Sequence, residues 1–191
     1  MRIGRSLSRL QRRLLQRLYG FDMWHVGHAN ETYVADIVRH LNARRAASRG
    51  TAVEIGCGTG DILRRLRFAT RLGLDADARV LRAARVLSIA GRGPRPRFEV
   101  FRFPDGALSG LYDAIIMVNW IHLIEPAVLR PALASYFDAH LQPGGELVVD
   151  TIADPAYTYN HDVHALAPPS ATIHHLGRYH RNRDVWVLGK S

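Results

Sequence analysis

The chain has 191 residues, 47% hydrophobic and 23% charged, the make-up of one globular domain with room for a core. Cys57 is its single cysteine, which excludes an internal disulfide, and no apolar run is long enough for a membrane-spanning helix. The formal net charge of +9 would draw nucleic acid, an anionic membrane surface or an acidic substrate. Nearly all of that charge is arginine, a bias that coding composition also produces.

Residues 1–18 predict a basic amphipathic helix. Leu7, Leu10, Leu14 and Leu18 recur at helical spacing, and Arg5, Arg9, Arg12, Arg13 and Arg17 fill the other faces. Four readings stay open: leucines packed on the domain, a helix on a membrane surface, an organelle-targeting segment, or an RNA-binding arm. The continuous apolar stretch of a secretory signal is absent. An aromatic-rich stretch with Phe21, Met23, Trp24, His25 and His28 follows. It leads into a helix with Val34, Ile37, Val38 and Leu41 on one face and Asn30 as the expected N-cap. Residues 43–50 are a polar connection.

From Thr51 the pattern alternates. Strands are expected over 51–55, 71–75, 98–101, 113–119 and 146–151. Helices are expected after the first strand (carrying Ile62, Leu63, Leu66 and Phe68), over 78–89 and over 126–141, with a turn at Pro143–Gly145. Residues 171–179 and 184–188 form an expected antiparallel hairpin around residues 180–183. This predicts an α/β fold with a doubly wound, mostly parallel seven-stranded Rossmann-like sheet. Residues 1–50 make a helical cap on the domain spanning 51–191.

The stretch that organises the chain is Glu54-Ile-Gly-Cys-Gly-Thr-Gly-Asp61. Three glycines alternate with small residues after an apolar strand, as a ligand cradle requires. A dinucleotide fingerprint places its third glycine where Asp61 stands, and Glu54 adds a second acid, so a cationic ligand suits the loop better than a phosphate. Asp75 ends the second strand 19 residues beyond Gly56 (75 − 56), near the spacing at which an acid binds ribose hydroxyls. The plainer alternatives are glycines that only turn the chain, a Glu54 that only bonds loop amides, and an Asp75 that only caps the next helix.

Glu54-Ile-Gly-Cys-Gly-Thr-Gly60 resembles the first motif of the class I S-adenosylmethionine-dependent methyltransferases. Tyr112–His122, Leu141–Val149 and the terminal hairpin resemble that family's later segments. The resemblance implies S-adenosylmethionine as cofactor. Glu54 and nearby carbonyls would receive its ammonium group. Gly56, Cys57, Gly58 and Gly60 would lie along it, Asp75 would accept from the ribose, and Ala76 or Asp77 and Asp105 would meet the adenine. Asn119 and Trp120 follow the fourth strand as further cofactor contacts.

Methyl transfer needs positioning, and a base only where the acceptor loses a proton. His122, His161 and His25 are the candidates for that base. The Asn-Pro-Pro-Tyr signature for amino groups of bases is missing, because Trp120 and Ile121 stand where its prolines would be. The expected activity is methyl transfer to oxygen or nitrogen of a small or medium-sized acceptor, such as a glycan or secondary-metabolite precursor. RNA methylation and a non-catalytic cofactor-binding subunit are the alternatives. No metal is expected. The expected location is the cytoplasm, with peripheral membrane association through residues 1–18.

Overall fold

The computed structural model describes residues 2–26, 31–44, 49–89 and 94–191, with side chains from Leu10 onward. Its seven strands are β1 (Thr51–Ile55), β2 (Thr70–Asp75), β3 (Arg97–Val100), β4 (Tyr112–Met117), β5 (Leu141–Ile152), β6 (Thr172–Tyr179) and β7 (Arg183–Gly189). They form one sheet in the order β3-β2-β1-β4-β5-β7-β6. The first five pair in parallel, and β7 runs antiparallel to β5 and β6. Strand order reverses between β1 and β4, so the crevice beyond their carboxyl ends is the natural ligand position.

Alternation along the strands sends side chains to two cores. Ala52, Ala114, Ile116, Val148 and Val187 face α2 (Thr32–Asn42) and α3 (Ala78–Leu87). Val53, Ile55, Ile115, Met117 and Val149 face α4 (Pro126–Ser135) and the one-turn α5 (Val163–Leu166). A third cluster joins Leu15 of α1 (Arg2–Tyr19), Phe21 and Val26 to Val80, Ala83 and Leu87, so the N-terminal segment packs onto α3.

Three expectations change. The helix foreseen after β1 is reduced to a single 3-10 turn at Leu63–Arg65. Ile62, Leu63, Leu66 and Phe68 are nevertheless buried. The Arg71 guanidinium donates to the carbonyls of Leu63 and Leu66, taking up acceptors that a continuing helix would need. The helix foreseen over 126–141 stays α-helical only to Ser135 and widens into a π turn over Tyr136–His140. There Lys190 donates to the carbonyls of Phe137, Asp138 and Leu141. Pro143–Gly145 forms a bulge within β5: Tyr112 pairs with Leu141, but Ala114 pairs with Glu146.

In α1 the structure decides against one of the four open readings. Leu10, Leu14 and Leu18 do not pack on the domain; they are 57%, 56% and 70% exposed. Leu15 and Arg12 face inward instead. The N-cap expected at Asn30 lies outside the described residues, and Glu31 occupies the position before Thr32 without a side-chain cap bond. Among the described residues no helix is long and apolar enough to cross a membrane.

Candidate active site

The crevice at the carboxyl ends of β1 and β4 has two halves that meet at Gly56 and Trp24. The first half is narrow, with a cavity of about 50 Å³, and is lined by Glu54, Gly58, Tyr33 and Asn119. The second holds about 210 Å³ and is lined by Asp75, Ala76, Phe101, Phe103 and Trp120. The wider, aromatic half suits a nucleoside base, and the narrow acidic half suits a small cationic tail.

Glu54 carries the electrostatic signature of the narrow half. It is 4% exposed. Its Oε2 has no hydrogen-bond partner. Burial, reinforced by the charge of Asp61, pushes its carboxyl well above the usual range. An unpartnered buried carboxylate oxygen is costly unless a ligand supplies the donor. Asp61, the other flanking acid, is already engaged. Arg12 forks onto both its oxygens, and Arg64 and the Thr59 hydroxyl donate as well. Of the two acids flanking the loop, Glu54 is the one with an oxygen left for a ligand's donor.

Asp75 is fixed by the loop it serves. Its Oδ2 accepts from the Gly58 amide at 2.8 Å and its Oδ1 from the Asp77 amide at 3.0 Å. Burial raises its carboxyl pKa, and the residue lines the wide half. The plainer reading of Asp75 as a helix cap fails, because Asp77 caps α3 through the Arg79 amide.

The glycines divide the work. Gly56 and Gly58 have φ of 74° and 52°, a region that favours glycine. A Cβ on Gly56 would collide with the Trp120 indole, which donates to the Ile55 carbonyl at 2.7 Å. A Cβ on Gly58 would lie 2.8 Å from His25 Nδ1. Gly60 faces Phe98 and Ala84 and lies outside the cleft. Cys57 is buried on the wall of the narrow half.

A family described as methyltransferase domain matches residues 53–147. That span includes Glu54, the glycine loop, Asp75 and the end of β4. Residues 53–147 are a methyltransferase domain, and the fold around them is that of the class I S-adenosylmethionine-dependent methyltransferases. The biotin biosynthesis bifunctional protein BioCD of Bordetella avium is 30% identical over 158 residues, covering 78% of this chain. This chain spans only 30% of that protein's length. Magnesium protoporphyrin IX methyltransferase (ChlM) from Synechocystis PCC 6803, solved with bound SAM, superposes with a TM-score of 0.71 at 15% identity. The match covers 92% of this chain and 89% of that one. CalS10, an amino pentose methyltransferase from Micromonospora echinaspora, superposes with a TM-score of 0.66 at 18% identity, over 90% and 98% of the two chains. At such identities these structures establish the fold.

In this methyltransferase the residues foreseen for the cofactor mostly converge. Glu54, Gly56, Cys57, Gly58 and Asn119 line the narrow half, and Asp75, Ala76 and Trp120 the wide one. Asp105 is exposed and does not line the cleft; Phe101 and Phe103 form that wall.

The three histidines separate. His25 is buried and stacked on Trp24 at 3.7 Å, a packing position over the glycine loop. His161 donates from Nε2 to the Ile121 carbonyl at 2.9 Å, since a carbonyl can only accept, and this leaves Nδ1 as the ring's acceptor when neutral. His122 is 6% exposed, with Tyr157 edge-on at 4.3 Å. Its Nδ1 is buried without a hydrogen-bond partner. Burial, then the charges of Arg183 and His161, lower its pKa to about 4.

Sequence reasoning missed Arg183, Asp150 and Tyr33. Asn119 adopts φ 72°, and it is held there from two sides. Its amide donates to Asp150 Oδ1, and its side-chain oxygen accepts from Arg183 at 2.8 Å. Arg183 is also ion-paired with Asp150 and lies over the Tyr33 ring at 5.0 Å. A charged residue at the end of each of two apolar strands, Asp150 and Arg183, was the available signal.

Proposed function

We propose that the protein transfers a methyl group from S-adenosylmethionine to an oxygen or nitrogen of a small or medium-sized acceptor. The observation that carries this is the pairing of Glu54, a buried carboxyl with one unpartnered oxygen, with Asp75 across Gly56 in one cleft. S-adenosylmethionine supplies a methyl group already activated by a sulfonium centre. Glu54 would hold the ammonium of its amino acid tail, and Asp75 would accept from the ribose. Ala76, Phe101 and Phe103 would enclose the base.

His122 would receive the acceptor's proton. It follows the cleft residues Asn119 and Trp120 but lines neither half itself; its buried Nδ1 has no hydrogen-bond partner, and its lowered pKa keeps the imidazole neutral at physiological pH. Tyr157 and His161 would frame the acceptor beside it. The small-acceptor reading agrees with the named activity of CalS10 on an amino pentose.

Isothermal titration with S-adenosylmethionine and with its demethylated product tests the cofactor half. Binding of both, lost in Glu54→Gln, is the expected result; no binding of either would overturn the proposal. Transfer of labelled methyl groups to a panel of hydroxyl and amine acceptors separates an enzyme from a binding subunit.

A further inference from the structure

The outer face of α1 combines two features that seldom coexist on a free surface. With 3.6 residues per turn, Leu10, Leu14 and Leu18 fall within about 80° of arc. Arg13 and Arg17 flank them, also exposed. No acidic residue occurs anywhere in Arg2–Tyr19. The inward face is mixed: Leu15 joins the cluster on α3, Arg12 is buried on Asp61 and Thr59, and Gln16 donates to the Phe21 carbonyl. One leucine, Leu15, anchors the helix on the domain while Leu10, Leu14 and Leu18 stay outside, where a surface helix that only packs on its own core would carry polar residues. Met23 and Trp24, which follow α1, are 57% and 48% exposed, and Trp24 lines the cleft.

We propose that this face docks on an anionic lipid surface. Charge complementarity selects that occupant. A second copy of the chain would bring Arg13 and Arg17 against their own kind. An RNA strand would pair the arginines but leave three leucines in water. An anionic bilayer takes both, with leucines entering the headgroup–acyl boundary and guanidiniums meeting lipid phosphates. Because Arg12 on the opposite face holds the glycine loop, docking would set the cleft at a fixed distance from the lipid surface.

Flotation of the full chain with vesicles tests this, using phosphatidylcholine alone and an equimolar mixture with phosphatidylglycerol. The wild type is expected to float with the mixture and not with phosphatidylcholine. The triple variant Leu10→Gln, Leu14→Gln, Leu18→Gln should partition on the order of a hundredfold more weakly. Arg13→Gln with Arg17→Gln should lose roughly tenfold or more. These side chains lie outside the cores, so the variants keep their melting temperature and their binding of the demethylated cofactor. A wild type that stays free of anionic vesicles overturns the proposal. So does a leucine variant that floats as well as the wild type. A leucine-dependent dimer in sedimentation equilibrium, or RNA binding that outcompetes vesicles, would likewise assign the face to another occupant and overturn it.

Discussion

Arg12 and Asp61 stand 49 residues apart in the chain and share two hydrogen bonds, so the N-terminal helix holds the cofactor loop directly. The Arg12 side chain is 3% exposed and that of Asp61 14%. A pair so buried is costly to break from one side, because the surviving charge stays in low dielectric.

Arg12→Gln should therefore lower stability by about 3 kcal/mol, the lower end of the range for a broken buried pair, since Arg64 still faces Asp61. Burial alone would raise the Asp61 pKa, but the Arg12 hydrogen bonds and charge, with Arg64, outweigh it and hold the carboxyl below its usual value. A depressed acid stabilises the fold above its unfolded value, about 3.9, and that contribution is lost as pH falls through the folded value. Urea unfolding at neutral and acidic pH should show variant and wild type converging in acid. A gap of constant size would contradict the assignment.

Glu54→Gln should act in the opposite sense. The Glu54 carboxyl is raised, so as pH climbs past about 4.3 the unfolded chain releases its proton first and the apo fold loses stability. Glutamine removes that dependence and should leave the apo protein equally or more stable at neutral pH. Affinity for the demethylated cofactor should fall roughly tenfold to a hundredfold, the worth of a hydrogen bond to a charged group. Unchanged affinity would remove Glu54 from the site.

For His122 the measurement is a pH profile. A neutral imidazole with a pKa of about 4 predicts that kcat/KM holds through mild acid and falls only near that value. His122→Gln should reduce kcat by about 10²-fold to 10⁴-fold and abolish that limb. Its lowered pKa also means that the unfolded chain takes up a proton first as pH drops below about 6.5, which destabilises the fold in acid. A variant with full kcat would show that the acceptor needs no base here.

Gly56→Ala probes the contact beneath Trp120. Two costs are expected: about 1–2 kcal/mol for an L-residue at φ 74°, and a steric cost from the indole. Adding Trp120→Ala should relieve the second and leave the first. Thermal melts of the single and double variants check this, and full additivity of the two substitutions would argue against the contact.

Periodicity made the sheet legible. The apolar runs at 51–55 and 113–119 read as buried strands because both faces of β1 and β4 are covered. The hairpin was legible because alternating strands flank a short polar joint. The shortened turn after β1 was hidden, because its cause is Arg71, a residue outside the segment itself. The leucines of α1 left the reading open for a related reason. Their spacing defines a face, but which face turns inward was decided by Asp61 drawing Arg12 to the domain.

Within the site, the glycine loop and Asp75 were readable because their spacing along the connection from β1 to the end of β2 sets their positions. Arg183 was not, since β7 reaches Asn119 only through the reversed hairpin. Asp105 was expected at the adenine edge by its place after β3. The chain turns there so that Phe101 and Phe103 face the cleft instead.

The indole over Gly56 has an optical consequence. The sequence holds three tryptophans, and two of them, Trp24 and Trp120, line the cleft, while Trp186 lies on β7. The protein thus carries its own fluorophores at the two sides of its ligand path. Cofactor entry should change their emission while Trp186 supplies a constant background, so affinity can be followed without a label. A Trp120→Phe variant that kept the full signal would assign the change to Trp24.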